Sequence, residues 1–248
     1  MAAIAVTRAG SGPPVLLVHG GASPAGTWES LAPLASEWTL VSAHRRGYPP
    51  SPPGRHDFDQ DALDLAPLLE PRTHLVAHSY GGLGALLAAA ADPERVRSLT
   101  LVEPPLFSIV EGDPDVEELE RLGDAFLTEG LDADPAALRE FLRIAGVQEV
   151  PDGPLPERIR NWVRRAQGGR LPGGARPDLD AIARAGIPSL IASGCHSRGQ
   201  ERICDALAGR LGGARLRVEG GGHFVQRSPT FVQELALHLR SAEGGAVG

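Results

Sequence analysis

Six short apolar runs with β-branched members recur along the chain: Val15 to Val18, Thr39 to Ala43, His74 to Ala77, Val96 to Val102, Pro188 to Ala192 and Ala214 to Val218. Short apolar runs of this kind predict strands. Trp28 to Ser36, Phe58 to Leu69 and Pro229 to Leu239 instead carry apolar residues at helical spacing, and Leu83 to Ala91 is an Ala/Leu-rich stretch. Strands alternating with helices predict an α/β fold, a mostly parallel sheet covered by helices on both faces. In such a sheet ligands sit beyond the carboxyl ends of the strands.

The alternation breaks between about Pro105 and Gly186. Val116 to Leu127, Pro135 to Ala145 and Leu155 to Ala166 read as helices joined by Gly/Pro/Asp-rich turns, with no convincing strand. The expected organisation is a core of residues 1–105 and 187–248 with a helical cap insertion over 106–186. Leu106, Phe107, Phe126, Leu127, Phe141, Leu142 and Trp162 are candidates to wall a pocket beneath the cap, although apolar cap residues more often pack helix on helix. Gln167 to Gly174 reads as a flexible return segment and a candidate hinge.

The sharpest chemical signal is Leu75-Val76-Ala77-His78-Ser79-Tyr80-Gly81-Gly82, one serine between small residues at a strand-to-helix junction. Small neighbours let the backbone turn tightly and project the serine over the sheet. Alone, such a serine is more often a helix cap. Upstream, however, a strand ends in His19-Gly20-Gly21, and downstream Gly220-Gly221-Gly222-His223-Phe224 follows the last strand. His19, Ser79, Glu103 and His223 all fall just after predicted strands, where the sheet would gather them. The expected roles are Ser79 as nucleophile, His223 as general base, and the backbone N–H groups of Gly21 and Tyr80 as oxyanion hole.

On these segments the chain resembles the α/β-hydrolase superfamily, in its small cap-bearing serine esterase and lipase-like branch, from Ile4 to about Leu239. The resemblance implies the α/β-hydrolase fold, with His19-Gly20-Gly21 as the oxyanion loop, Ser79 at the elbow and His223 in the histidine loop. Two departures stand out. The family's Asp-x-Arg-Gly-x-Gly appears as His44-Arg45-Arg46-Gly47-Tyr48-Pro49, and the usual acid position after the strand Pro188 to Ala192 holds Ser197, which cannot carry a charge. Glu103, at the end of Val96 to Val102 and followed by Pro104-Pro105, is the expected acid, since some members of the superfamily place it after that strand. Asp205, within a helical stretch from Gln200 to Leu211, is the weaker alternative. A salt-bridging or capping role for Glu103 also remains open.

Composition narrows the partners. A chain of 248 residues with 42% hydrophobic content can bury one α/β core. Its formal charge of -7 argues against a nucleic-acid surface. Arginines do cluster at Arg158, Arg160, Arg164, Arg165 and Arg170, but the acidic residues of Glu111 to Glu120 offset them, so a local patch and not a general polyanion binder is the expectation. Met1 to Gly12 does not read as a signal peptide, and the Leu83 to Ala91 stretch is far below the ~20 residues that cross a bilayer, so a cytoplasmic protein is expected. Cys195 and Cys204 lie in no redox or metal motif and are expected to be free thiols.

Gly10-Ser11-Gly12, Gly20-Gly21 and Gly81-Gly82-Leu83-Gly84 lack the remainder of a phosphate-binding or dinucleotide pattern, so no cofactor is expected. The histidines are scattered without paired metal-ligand spacing, and His56 with Asp57, Asp59 and Asp61 reads as the start of a helix rather than a metal site. The expected function is a serine hydrolase acting on a small acyl substrate, an ester, lactone or thioester, through an acyl-enzyme. Ser79 argues against halide or epoxide opening, which uses Asp as nucleophile on this scaffold. A C–C bond hydrolase or lyase on the same residues, or a non-catalytic receptor using the same pocket, is the alternative.

Overall fold

Branched aliphatic residues pack well on a pleated surface covered from both sides, and the apolar runs become strands on that account. In the computed structural model, which describes residues 2–244, the described residues form one seven-stranded sheet of order β1-β3-β2-β4-β5-β6-β7. Its strands are β1 (Val6–Ala9), β2 (Pro14–Val18), β3 (Thr39–Ala43), β4 (Thr73–His78), β5 (Val96–Val102), β6 (Ser189–Ser193) and β7 (Ala214–Arg217). All neighbours pair in parallel except β1, which runs antiparallel to β3 at the edge. This is the α/β-hydrolase fold with a helical cap.

The first strand has no counterpart among the six apolar runs. Only Val6 of its four residues is even half-buried and the other three are exposed, so it joins the sheet through backbone bonds rather than through an apolar face.

The helices are α1 (Pro24–Trp28), α2 (Phe58–Leu65), α3 (Gly81–Ala91), α4 (Pro114–Thr128), α5 (Pro135–Ile144), α6 (Glu157–Ala166), α7 (Leu179–Arg184), α8 (Arg198–Leu211) and α9 (Pro229–Ala242). Two expected helices are shorter than their periodicity. Residues 29–36 form a 3-10 helix containing Pro33, and α2 stops at Leu65 before a 3-10 turn containing Pro67. Proline supplies no N–H and its ring crowds the carbonyl four residues back, so the tighter helix takes over. Aspartates cap α2, α4, α5 and α7: Asp57, Asp113, Asp134 and Asp178 each accept from backbone amides of the first turn.

Strand side chains alternate between two cores. Leu16, Val18, Leu75, Ala77, Leu99 and Leu101 face α2, α3 and α8, meeting Phe58, Leu83, Leu86, Ile203 and Leu207. Val15, Leu17, Val76 and Val102 face the other way, onto Trp28, Leu31, Trp38, Phe231, Leu235 and Leu239. Between β5 and β6 the chain leaves the sheet, and α4, α5 and α6 cover its carboxyl edge. Among the described residues no helix is long and apolar enough to cross a membrane.

Helix α3 is buried nearly all round, and α2 packs against it at Gly84. A Cβ at Gly84 would lie 2.6 Å from the Asp61 Cβ and 3.2 Å from the Phe58 carbonyl oxygen. Alanine favours a helix over glycine by about 1 kcal/mol, whereas overpacking costs about 1–3 kcal/mol. The second effect wins here because the obstruction is backbone and Cβ, which cannot swing aside. Gly84→Ala is therefore expected to lower stability by about 1–2 kcal/mol in urea unfolding; a stabilised variant would contradict the close approach.

Candidate active site

The serine stands where β4 becomes α3. Ser79 has φ +53°, its amide donates to the Val102 carbonyl at 2.8 Å, and its carbonyl accepts from Gly82 at 2.8 Å. A non-glycine residue in this region costs about 1–3 kcal/mol, a strain the flanking strand and helix hold in place. The turn works only with small neighbours. A Cβ at Gly81 would strike the His19 carbonyl oxygen at 2.3 Å, and one at Gly20 would lie 2.7 Å from the Ser79 Cβ. Ser79 and the His19-Gly20-Gly21 loop are thus in contact.

Ser79, His223 and Glu103 form one line of hydrogen bonds. His223 Nε2 is 3.0 Å from Ser79 Oγ, and His223 Nδ1 is 2.7 Å from Glu103 Oε2. Glu103 follows β5 with φ +47° and is 1% exposed. Burial works against its ionised form, but bonds from His196 and His223 and their charge outweigh it and hold the carboxyl at about 2. An ionised carboxylate only accepts, so the His223 ring carries its proton on Nδ1 and turns the bare Nε2 to the serine hydroxyl. Asp205 lies elsewhere, paired with Arg215 and Arg217 at β7. Ser197, at the vacated acid position, caps α8.

Two groups that the sequence reading passed over hold the acid. Gly194 donates to Glu103 Oε1 at 2.8 Å, and its carbonyl accepts from Gly222 at 3.3 Å, so one residue ties the acid to the histidine loop. His196 brings Nδ1 to 3.4 Å from Glu103 Oε1 while its Nε2 lies 2.9 Å from the Ile144 carbonyl of the cap. Both neighbours are acceptors, which suits a ring protonated on both nitrogens. Burial pulls the His196 pKa down, yet Glu103 and the Ile144 carbonyl prevail and raise it. The signal available in the sequence is His196, directly before Ser197 and just past the end of a strand.

His78 packs beneath this line, donating from Nε2 to the His223 carbonyl at 2.9 Å, with ring centroids 4.6 Å apart. Burial first, then the charge of His223, lowers its pKa to about 3, so it is a neutral prop.

The His19-Gly20-Gly21 loop is held from behind by the His44–Pro49 segment. Arg45 Nη1 donates to the Gly20 carbonyl at 2.9 Å, the Arg45 amide donates to His19 Nε2 at 3.1 Å, and Tyr48 Oη donates to the Gly21 carbonyl at 2.8 Å. In a trans peptide the N–H points opposite to the carbonyl, so pulling the Gly20 oxygen toward Arg45 turns the Gly21 amide the other way. Neither that amide nor the amide of Tyr80 has an acceptor among the described residues. Arg45 is itself buried and balanced by Asp61 at 2.7 Å. Sequence could not reveal this pair, since nothing local links an arginine after β3 to an aspartate in α2.

Between the cap and the sheet edge lies a cavity of about 920 Å³. Ser79, His223, Gly21 and Tyr80 line its floor, and Phe107, Phe126, Leu127, Phe141 and Trp162 its walls. Leu106 and Leu142, expected as wall residues, are buried in the core instead and do not reach it. Glu103, His196 and His223 offer ligand atoms within 4.8 Å of one another. A metal ion there would have to displace the His223 bond to Glu103.

The Alpha/beta hydrolase family model matches residues 15–235. The chain is similar to a pimeloyl-acyl-carrier-protein methyl ester esterase of Aeromonas hydrophila, 33% identical over 42% of this chain and 43% of that protein. It is also similar to a soluble epoxide hydrolase of a Corynebacterium species, 27% identical over 92% of this chain and 90% of that protein. The match to the first spans less than half of either chain. A solved thermophilic esterase from Thermogutta terrifontis superposes with a TM-score of 0.69 at 21% identity, covering 96% of this chain and 93% of that one, a likeness of fold.

The Arg45–Asp61 pair gives a direct test of the loop's support. Removing one partner of a buried pair leaves an uncompensated charge, at about 3–5 kcal/mol. Asp61→Asn is expected to lower stability by that amount in urea unfolding; a loss under about 1 kcal/mol, typical of an exposed pair, would show that the pair does not anchor the loop.

Proposed function

The chain belongs to the Alpha/beta hydrolase family, and from that premise we propose that it is a serine hydrolase cleaving an ester, lactone or thioester of a small molecule through an acyl-enzyme. The observation that carries this reading is the continuous line from Ser79 Oγ through His223 to Glu103, at 3.0 and 2.7 Å.

Ser79 Oγ attacks the substrate carbonyl carbon as its proton passes to His223 Nε2. Glu103 stays ionised and stabilises the imidazolium through Nδ1. The carbonyl oxygen, now an anion, is met by the Gly21 and Tyr80 amides, which are aimed before the substrate arrives and need no reorganisation. His223 returns the proton to the departing alcohol or thiol, leaving Ser79 acylated. A water then repeats the sequence, with His223 taking its proton and Ser79 leaving as the alcohol. Serine forms an ester that water can cleave at its carbonyl, which distinguishes this chemistry from the epoxide opening named for the Corynebacterium relative.

In this reading residues 1–105 and 187–248 form the catalytic core, and 106–186 form a cap that excludes water. Both cysteines are free thiols, which fits a cytoplasmic enzyme.

Turnover of p-nitrophenyl esters, with a burst of one product equivalent before the steady state, tests the proposal. Ser79→Ala and His223→Ala are expected to lower kcat by at least about 10³-fold, and Glu103→Gln by about 10³–10⁴-fold because the amide favours the wrong tautomer. Asp205→Asn should change kcat by less than about twofold, as a half-exposed ion pair remote from the serine. Saturable binding of ester without any acyl-enzyme would turn the reading to a receptor.

A further inference from the structure

Helix α6 carries four arginines and divides them. Arg160 and Arg164 reach Glu157 at 3.5 and 3.0 Å. Arg158 and Arg165 have no carboxylate within ion-pair distance among the described residues, and both line the cavity above Ser79. They stand seven residues apart, two helical turns, and so share a face with Trp162 between them. The Arg165 guanidinium lies 5.0 Å from the centre of the Tyr48 ring, whose hydroxyl holds the Gly21 carbonyl. Its charge therefore borders the oxyanion loop.

Trp162 adds an independent observation. Its indole Nε1 is buried without an acceptor, and a Cβ placed on Gly21 would lie 2.9 Å from it. A buried N–H with no partner is costly unless a ligand supplies the acceptor. The face of α6 thus offers two guanidiniums and an indole N–H to the space over the serine.

The other charges on the cavity wall do not cancel them. Arg227 is occupied by the Gly26 carbonyl and the Phe224 ring, and both oxygens of Glu103 are taken. Glu149 is the remaining carboxylate of the lining. Arg227 and Glu103 keep their charges, so Arg158, Arg165 and Arg227 against Glu103 and Glu149 leave the lining an excess of one positive charge, which matches a monoanion better than a dianionic phosphate.

We propose that Arg158, Trp162 and Arg165 form a subsite for a carboxylate carried by the substrate. The substrate class is then a small acyl compound with a free acid, such as the half-ester of a diacid. The scissile bond in this statement rests on the serine-hydrolase reading; the anion subsite does not.

Two measurements separate them. Monomethyl glutarate, a monoanion, titrated into the Ser79→Ala chain by calorimetry should bind at least about tenfold more weakly after Arg158→Gln/Arg165→Gln, with no change for Arg160→Gln, because a guanidinium pairs a carboxylate with charge as well as hydrogen bonds. Glutaramide, the neutral diamide, should bind poorly to all. The kcat/KM ratio of mono-p-nitrophenyl glutarate to p-nitrophenyl butyrate should fall by a similar factor, about tenfold, in the double variant. Equal binding of glutaramide, tighter binding of inorganic phosphate, or an unchanged ratio would overturn the subsite while leaving the hydrolase standing. Arginine-dependent binding of monomethyl glutarate with neither ester cleaved would support the subsite and remove the hydrolase.

Discussion

A carboxylate sealed at the end of a strand is the constraint on which this site depends. Glu103 is 1% exposed, and a charge so far from water is tolerable only when every oxygen is met by a donor. The Gly194 amide meets one oxygen and His223 the other, with His196 alongside. That satisfaction in turn dictates which nitrogen of His223 bears the proton, and hence that the nitrogen facing Ser79 is free to accept one. In the proposed mechanism the reactivity of a half-buried hydroxyl is thus set by a group the substrate never touches.

Backbone strain is gathered at the same edge. Among the described residues the non-glycine positions with positive φ are Arg72, Ser79, Glu103 and Cys195, and the last three directly or closely follow β4, β5 and β6. At each the chain leaves the sheet abruptly; Ser79 and Glu103 face the cavity, and Cys195 stands between the two residues, Gly194 and His196, that contact Glu103. Buried strands and Gly81 against His19 supply the rigidity that holds these conformations. The His19-Gly20-Gly21 loop relies on a second buried charge, Arg45 with Asp61, so the candidate site rests on two ion-paired supports reached from opposite sides of β4.

What was legible in the sequence was whatever local pattern decides. Six strands follow from aliphatic runs, and Ser79 and His223 follow from small-residue turns after strands. Glu103 was legible by position alone. The first strand was not, because an edge strand held by backbone bonds needs no apolar face. Pro33 and Pro67 ended helices that periodicity would have continued. Arg45, Tyr48, Asp61 and His196 stayed hidden because their partners are backbone carbonyls and a carboxylate brought near only by the fold. Among the candidate wall residues Leu106 and Leu142 pack into the core instead, since hydrophobicity alone does not say which side of a cap residue meets the core.

The central claim is that the site is assembled before substrate arrives, with Ser79 activated by the His223–Glu103 pair beneath two unoccupied amides. A crystal structure of the chain after reaction with a fluorophosphonate measures this most directly. The account predicts one adduct, on Ser79 Oγ, with the phosphoryl oxygen about 2.7–3.1 Å from the Gly21 and Tyr80 amides, and with the His223 to Glu103 bond retained. An adduct on another residue, or a phosphoryl oxygen turned away from both amides, would contradict it.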